Sequence, residues 1–323
     1  YRGYRRQDRT GDLRGTGKEA AGSGQEGKVK NMEKRISGYT GLMGLFGSPV
    51  GHSASPEMYN FCFQHDGLDY AYLAFDVKAE DMSETINTIR LLKMRGGNFT
   101  MPCKNIAAKL MDRLSPAAEL IGACNAFVNE EGVLTGYITD GIGFVKNLKE
   151  HGVEVKGKKV LVLGAGGAAT AIQVQLALEG TEEIHIFNRQ DEFYDRALDT
   201  QRKLKEKIPK CRVTVDRLED KEKLQKAVAE ADILANATIV GMKPDLHEET
   251  LIPKEWLRKD LVVADIVYNP EVTRMLKEAG EAGCQTIEGK GMMLWQGAEN
   301  YLLFTGKEMP VEAYQQYLKT KTV

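Results

Sequence analysis

The chain has 323 residues, 42% of them hydrophobic, and a formal net charge of −2. That gives room for about two domains with full cores and argues against a nucleic-acid binder, while no apolar run reaches the roughly 18 residues that cross a bilayer. The cysteines Cys62, Cys103, Cys124, Cys211 and Cys284 are odd in number, widely spaced and without a C-x-x-C pair, which fits reduced thiols in a cytoplasmic protein better than a disulfide framework or a zinc site.

Residues 1–38 are rich in Arg, Lys, Gly, Gln and Ser and show no apolar period. Such a composition cannot bury enough surface to order itself, and it lacks the apolar core of a secretory signal. It reads as a disordered leader or an appended segment, with Met32 as the start and a basic nucleic-acid arm as the functional alternative. Leu42–Phe46 then reads as a strand, broken at Gly47-Ser48-Pro49. Pro56 suits the first turn of a helix running to about Gln64, with Ser55 as its N-cap. Tyr70–Val77 alternates as a strand, and Met82, Ile86, Ile89 and Leu92 give residues 80–93 a helical spacing. Gly97–Thr100 is a strand stopped by Pro102, and a helix over Lys104–Leu114 and a short one over 117–122 follow. Ala126–Asn129 and Leu134–Tyr137 pair around Glu131-Gly132. This alternation predicts a mostly parallel α/β domain.

A second α/β pattern begins at residue 158. Val160–Leu163 is a buried strand, Gly164, Gly166 and Gly167 make a glycine turn, and a helix over 168–179 ends at Gly180. Gly164 and Gly166 hold the first two places of a dinucleotide fingerprint, and Ala169 holds the third, where a small residue still allows close packing. Strand, glycine turn and helix aim free N–H groups at a pyrophosphate; an ordinary tight turn of another α/β protein is the plain alternative. A strand over Ile184–Phe187 ends at Asn188-Arg189, where such a fold reads the adenosine ribose. Strands at 212–215, 232–236 and 261–267 alternate with helices at 191–208, 220–230 and 270–282. From Gly289 the pattern is helical, and these last helices are expected to return to the first lobe and create a cleft.

Three other stretches carry polar groups unlike packing segments. Ser53-Ala54-Ser55-Pro56 sets two hydroxyls at a helix start, where they and free N–H groups suit a carboxylate; capping by Ser55 is the plain alternative. Asn98-Phe99-Thr100-Met101-Pro102-Cys103-Lys104 places amide, hydroxyl and amine at a strand end, although a lone lysine is most often a solvated charge. Tyr137-Ile138-Thr139-Asp140-Gly141 is a polar break between the two patterns, with Asp140 open to a reading as the N-cap of the next helix.

Together these motifs, with Gly122-Ala123-Cys124-Asn125, Tyr268-Asn269-Pro270 and Gly289-x-Gly291-Met292-x-x-x-Gln296, come in the order and spacing of the shikimate dehydrogenase family. The resemblance spans roughly residues 41–306. Phe187-Asn188-Arg189-Gln190-Asp191-Glu192-Phe193, Val240-Gly241-Met242-Lys243-Pro244 and Leu294-Trp295-Gln296-Gly297-Ala298 look like its quinate/shikimate dehydrogenase branch.

The resemblance implies a two-lobed α/β fold, with a substrate domain over 39–143 plus 290–323 and a Rossmann-type NAD(P) domain over 144–289. It implies reversible oxidation of the C3 hydroxyl of shikimate, and of quinate, with NAD or NADP taking the hydride, in aromatic precursor synthesis or in breakdown of plant acids. It carries over Lys104 and Asp140 as the catalytic pair, Ser53 and Ser55 as carboxylate ligands, and Thr100, Asn125, Tyr268 and Gln296 around the ring. Gly164, Ala165, Gly166, Gly167 and Ala168 are expected at the pyrophosphate, Asn188, Arg189, Asp191 and Phe193 at the adenosine, Gly289 at the nicotinamide, and Val267 as a further cofactor residue. The partners are then small molecules, with no metal, nucleic acid or membrane, and the enzyme works as a monomer or homodimer. A lysine ammonium suits ketone reduction, since it can give the alcohol its proton. A ligand sensor that keeps the fold without turnover is the rival of another class, and retention of Lys104 and Asp140 argues against it. A tetrahydrofolate dehydrogenase is a rival within the fold that gives no reason for the serine pair. Departures from the family pattern stand at Ile138, where Asn is usual, at Ile239, where a polar residue is common, and at Gln190 and Phe193, which replace the Thr and second Arg of the strictly NADP-dependent branch.

Overall fold

The computed structural model describes residues 36–321; the leader expected over 1–38, apart from its last three residues, and Met32 lie outside them. In chain order the elements begin with β1 (Gly41–Gly47), α1 (Ser55–His65), β2 (Tyr70–Asp76), α2 (Met82–Leu91), β3 (Gly96–Phe99), α3 (Lys104–Leu110), β4 (Arg113–Leu114), α4 (Pro116–Ile121), β5 (Ala126–Glu130), β6 (Val133–Tyr137) and α5 (Asp140–Glu150). Then come β7 (Lys159–Leu163), α6 (Gly167–Leu178), β8 (Glu183–Asn188), α7 (Tyr194–Lys207), β9 (Arg212–Arg217), α8 (Lys221–Glu230), β10 (Ile233–Asn236), β11 (Val262–Asp265), α9 (Arg274–Glu281), β12 (Gln285–Ile287), α10 (Gly289–Thr305) and α11 (Val311–Lys321).

Two six-stranded sheets result, ordered β2-β1-β3-β5-β6-β4 and β12-β11-β10-β7-β8-β9. The second is parallel throughout. Its central strands are apolar on both faces because helices cover both: Val160, Leu161, Val162 and Leu163 are each at most 1% exposed. The first sheet is mostly parallel, as expected, with one reversed strand: β5 forms the expected hairpin with β6 and runs antiparallel to β3. Glu131 and Gly132 turn that hairpin at φ 53° and 94°, the left-handed pair that matches strand twist.

Some boundaries differ from expectation, each for a local reason. The helix expected to reach Leu114 stops at Leu110, because Arg113 and Leu114 pair with Thr135 and Gly136 of β6, while the Asp112 carboxylate takes the Leu134 N–H at 2.7 Å. Ser55 is the first residue of α1 rather than its cap; its N–H donates to the Ser53 hydroxyl oxygen at 3.2 Å. The helix expected from 270 starts at Arg274, where Thr273 is the N-cap, and β12 was hidden in three residues too few to show a period.

The C-terminal helices return to the first lobe. Tyr301 of α10 stacks on Phe63, and its hydroxyl donates to Asp66 at 2.6 Å. Tyr317 of α11 stacks on Phe61 at 4.4 Å, and Glu57 accepts hydrogen bonds from Tyr317 and Lys321. The joint with the second lobe is the crossing of α5 and α10, which is close because glycine supplies no Cβ there. A Cβ on Gly143 would lie 2.5 Å from the Met292 carbonyl, and one on Gly291 would lie 1.9 Å from Asn147 Oδ1. No helix among the described residues is long and apolar enough to cross a membrane.

Candidate active site

The first residues of two helices set the centre of the site. Lys104 opens α3 and Asp140 opens α5, and Lys104 Nζ donates to Asp140 Oδ2 at 2.8 Å. Thr139 is the N-cap position of α5, so Asp140 does not serve as the cap. Its carboxylate turns away from the helix: Oδ2 faces the lysine and Oδ1 accepts from Asn125 Nδ2 at 2.9 Å. The pair is only partly withdrawn from water, with side chains 10% (Asp140) and 26% (Lys104) exposed.

A buried polar chain fixes that geometry. Asn125 Oδ1 accepts the Thr139 N–H at 2.8 Å, and the Thr139 hydroxyl donates to Asn300 Oδ1 of α10 at 2.8 Å. Asn98 Nδ2 donates to the Asn125 carbonyl at 3.0 Å, while its Oδ1 accepts from Tyr72 at 2.7 Å. Buried networks hold one arrangement to the extent that their members are bonded, and here the Asn300 amide nitrogen is buried without a partner among the described residues. Asn125 thus uses its amide to orient Asp140 as well as facing the cleft. Asn98, Thr139 and Asn300 escaped the list of site residues read from sequence. The first two stood inside recognised motifs; Asn300 carried no signal, because its partner is 161 positions away.

The cleft above the pair has a volume of about 700 Å³. Ser53, Ser55, Thr100 and Asn125 line it from the first lobe, with Lys104 and Asp140; Tyr268 reaches it from the loop after β11 and Gln296 from α10. All eight residues expected at the catalytic and substrate positions therefore share one space. The side chains of Ser55, Thr100, Tyr268 and Gln296 make no hydrogen bond among the described residues, so their donors and acceptors are open to a ligand. Val50 and Met58 supply apolar wall near the serines. The thiol beside the site, Cys124, is buried, which pushes its pKa up to about 12; all five cysteines are free and buried, consistent with inert, reduced thiols.

The expected cofactor residues lie at the ends of β7, β8 and β11. Gly164 turns the chain at φ +108°, its N–H donates to the Phe187 carbonyl at 2.8 Å, and its own carbonyl accepts from the buried Gln173 at 2.9 Å. Ala165 is buried and Gly166 caps α6, so the N–H groups of Gly167, Ala168 and Ala169 open the helix without intrahelical partners. A Cβ built on Gly166 or Gly167 would meet nothing within 4 Å. Free donors bordering open space fit a pyrophosphate.

At the next strand end Asn188 Nδ2 donates to the Arg189 carbonyl at 2.7 Å and to Asp191 Oδ1 at 2.9 Å, and the Phe193 N–H donates to that same oxygen at 2.9 Å. One carboxylate oxygen of Asp191 thus braces the turn, and Oδ2 is left without a partner among the described residues. Arg196 lies over the Phe193 ring, 5.2 Å from its centroid, a nearby positive charge that sequence reading passed over. At the other end, Gly289 opens α10 against the β11 loop, where a Cβ would lie 2.5 Å from the Ile266 carbonyl and 2.6 Å from that of Val267.

Residues 45–127 match the profile of the shikimate dehydrogenase substrate binding domain and residues 146–288 that of shikimate / quinate 5-dehydrogenase. Over 291 residues, 90% of this chain and 99% of the relative, the sequence is 50% identical to shikimate dehydrogenase (NADP(+)) of Listeria monocytogenes serotype 4b (strain F2365). It is 46% identical to quinate/shikimate dehydrogenase of Escherichia coli (strain SMS-3-5 / SECEC), over 86% of this chain and 96% of that one. The crystal structure of shikimate 5-dehydrogenase from Listeria monocytogenes in complex with shikimate and NAD superposes with a TM-score of 0.86 at 49% identity, covering 89% of this chain and 99% of that one. Matched by both profiles over most of its length and half identical to a relative covered almost end to end, this chain belongs to the shikimate dehydrogenase family.

Proposed function

We propose that this protein is an NAD(P)-dependent dehydrogenase that interconverts shikimate and 3-dehydroshikimate, and quinate and 3-dehydroquinate, with Lys104 and Asp140 handling the proton. The observation that carries the reading is the 2.8 Å contact between Lys104 Nζ and Asp140 Oδ2 in the cleft that also holds Ser53 and Ser55. The bound dinucleotide supplies hydride acceptance and donation. Lys104 gives its proton to the forming alkoxide in reduction and takes it back in oxidation. Asp140, itself oriented by Asn125, holds the ammonium in one place, and proton transfer requires that alignment. Ser53 and Ser55 bind the substrate carboxylate through hydroxyls and helix-start N–H groups, while Thr100, Tyr268 and Gln296 orient ring hydroxyls.

Gly164 to Ala168 cradle the pyrophosphate with backbone donors. Arg189 and Asp191 face the adenosine ribose with opposite charges, Asn188 and Phe193 shape that turn, and Val267 and Gly289 border the nicotinamide. Either cofactor is then used, with NAD at least as good as NADP. The domain split at 39–143 plus 290–323 and 144–289 follows from this division of labour. The five unpaired buried thiols support a cytoplasmic enzyme, acting on small molecules as a monomer or homodimer. The deciding experiment follows the absorbance of reduced nicotinamide with shikimate and quinate, each with NAD and NADP. Turnover of shikimate is expected, and shikimate binding without reduction of either cofactor would replace the enzyme by a sensor.

A further inference from the structure

Beneath the loop that carries Val267 and Tyr268 lies a carboxylate that the proposed mechanism does not use. Asp265 ends β11, is 2% exposed and does not line the cleft. Three segments nevertheless converge on it. Its Oδ1 accepts from Asn236 Nδ2 at 3.0 Å and from the Val267 N–H at 3.0 Å, and its Oδ2 accepts from the Thr273 hydroxyl at 2.7 Å. Asn236 in turn donates to the Val240 carbonyl at 3.0 Å and accepts from the Thr238 hydroxyl at 2.7 Å, which fixes the loop after β10. Thr273 caps α9 by accepting the Leu276 N–H. The Ile266–Val267 backbone is thereby gripped from two sides, by the carboxylate and by Gly289, whose missing side chain lets α10 sit against the two carbonyls.

Burial is unfavourable for this group and pushes its carboxyl up to about 6 despite the donors. An apolar residue fills such a site at less cost to folding, whereas a fully bonded carboxylate imposes one geometry on the groups around it. That geometry is set in the backbone directly before Tyr268, which lines the cleft, with Val267 buried beside it.

We propose that Asp265 is a positioning residue: by tying the loops after β10 and β11 to the start of α9, it sets the path of the Ile266–Val267 backbone that delivers Tyr268 to the cleft shared with Lys104. The inference rests on the functional reading above and adds to it a determinant that touches neither substrate nor cofactor. Its signature is a loss concentrated in the nicotinamide half of the site: the pyrophosphate turn at Gly164 also packs against Ala237 and Thr238, but its N–H and carbonyl are held by Phe187 and Gln173.

The test compares Asp265→Asn, Thr273→Val and Thr273→Ser with the parent. A displaced reacting geometry is expected to lower kcat about 10-fold or more in Asp265→Asn and to raise the shikimate KM about 3-fold or more through Tyr268. Affinity for NAD, read by titration, should fall while affinity for ADP-ribose, which lacks the nicotinamide, stays within about 2-fold. Thr273→Val keeps the shape and removes the hydroxyl, both donor to Asp265 and cap of α9, so it should move the same quantities the same way, and Thr273→Ser should restore them. Leu224→Ala, buried in the core between the second sheet and α8, supplies a variant destabilised away from the loop. The inference is overturned if Asp265→Asn and Thr273→Val keep the parent's kcat and KM, if NAD and ADP-ribose affinities fall together, or if Leu224→Ala with a similar Tm loss shows the same split. A parent that turns over neither acid would instead remove the functional reading, and the NAD against ADP-ribose comparison would still decide the role of Asp265.

Discussion

The two lobes build their halves of the site by opposite means. In the first lobe the important features are side chains held by other side chains: Lys104 by Asp140, Asp140 by Asn125, and Asn125 by the Thr139 hydroxyl, which leans on Asn300. In the second lobe they are backbone groups and missing side chains: the N–H groups after Gly166, the open space beside Gly167 and the bare Cα of Gly289. A proton must be carried by a specific atom, so the first lobe depends on residue identity. A pyrophosphate needs donors and room, which any helix start provides once no Cβ stands in the way. Removing atoms should therefore damage the first lobe, and adding atoms should damage the second.

Removing Lys104, the proposed proton carrier, is expected to have the largest effect. Lys104→Ala should lower turnover by at least ~10²-fold, the low end for a general acid/base, with a smaller change in substrate KM. Turnover within a few-fold of the parent would take Lys104 out of the mechanism. The double variant Ser53→Ala, Ser55→Ala sharpens the same side of the contrast. Both hydroxyls are assigned to a carboxylate that is present in ground and transition states alike, so the loss should fall on KM, by roughly 30-fold, with kcat little changed. An unaltered KM would mean that the carboxylate binds elsewhere.

Gly167→Ala tests the second lobe from the opposite direction. Gly167 is exposed, opens α6 and has nothing within 4 Å of its Cβ position. Alanine there should leave Tm unchanged or raise it, since glycine in a helix is the costlier residue by roughly 0.5–1 kcal/mol. The cofactor KM should nevertheless rise about 10-fold as the methyl intrudes on the pyrophosphate. Stability and function would then move in opposite senses. A raised Tm with the parent's cofactor KM would show that the dinucleotide keeps away from this turn.

The same division explains what could be read from the sequence. Strand, turn and helix around Gly164 were legible because their signals are local: an apolar run, glycines and a helix-forming stretch within twenty residues. Ser53, Lys104 and Asp140 were legible because each sits in a compact motif beside a helix start. The supporting residues were not. Thr139 meets Asn300 across 161 positions and Asn236 meets Asp265 across 29, and neither period nor propensity reports which distant partner a polar side chain will find. Asp140 shows how local reading can mislead. An aspartate before an apolar helix is an ordinary cap, and only the arrival of Lys104 and Asn125 from other elements turns its carboxylate outward. The neighbour of β5 was illegible for a like reason: Ala126–Asn129 reads as a strand in a hairpin, but nothing local says that its other edge will pair with β3.

The remaining expected effect, whose lower bound is the smallest, lies where the two modes meet, at the turn after β8, which has both a backbone frame and opposed charges. Arg189 is exposed and bonded to nothing through its guanidinium among the described residues, so its planar fork can pair with a 2′-phosphate or stack on adenine. Asp191 can accept from a free ribose hydroxyl but repels a phosphate dianion. The structure divides its duties: Oδ1 takes the Asn188 amide and the Phe193 N–H, which leaves Oδ2 for a ligand. Arg196, over the Phe193 ring, adds positive charge near the turn and tempers the repulsion. The parent should accept both cofactors, with NAD at least as good as NADP. Asp191→Ala should shift the kcat/KM ratio toward NADP by about 5- to 30-fold, roughly 1–2 kcal/mol, the scale of one exposed charge-assisted contact. Because Oδ1 also braces the turn, Asp191→Asn is the sharper partner variant: it keeps an oxygen for the Phe193 N–H and removes only the charge. If both variants shift the ratio alike, the charge decides it; if only alanine does, the effect comes from the lost brace. A parent with a hundredfold NADP preference, or two variants with no shift, would leave Asp191 with the turn alone.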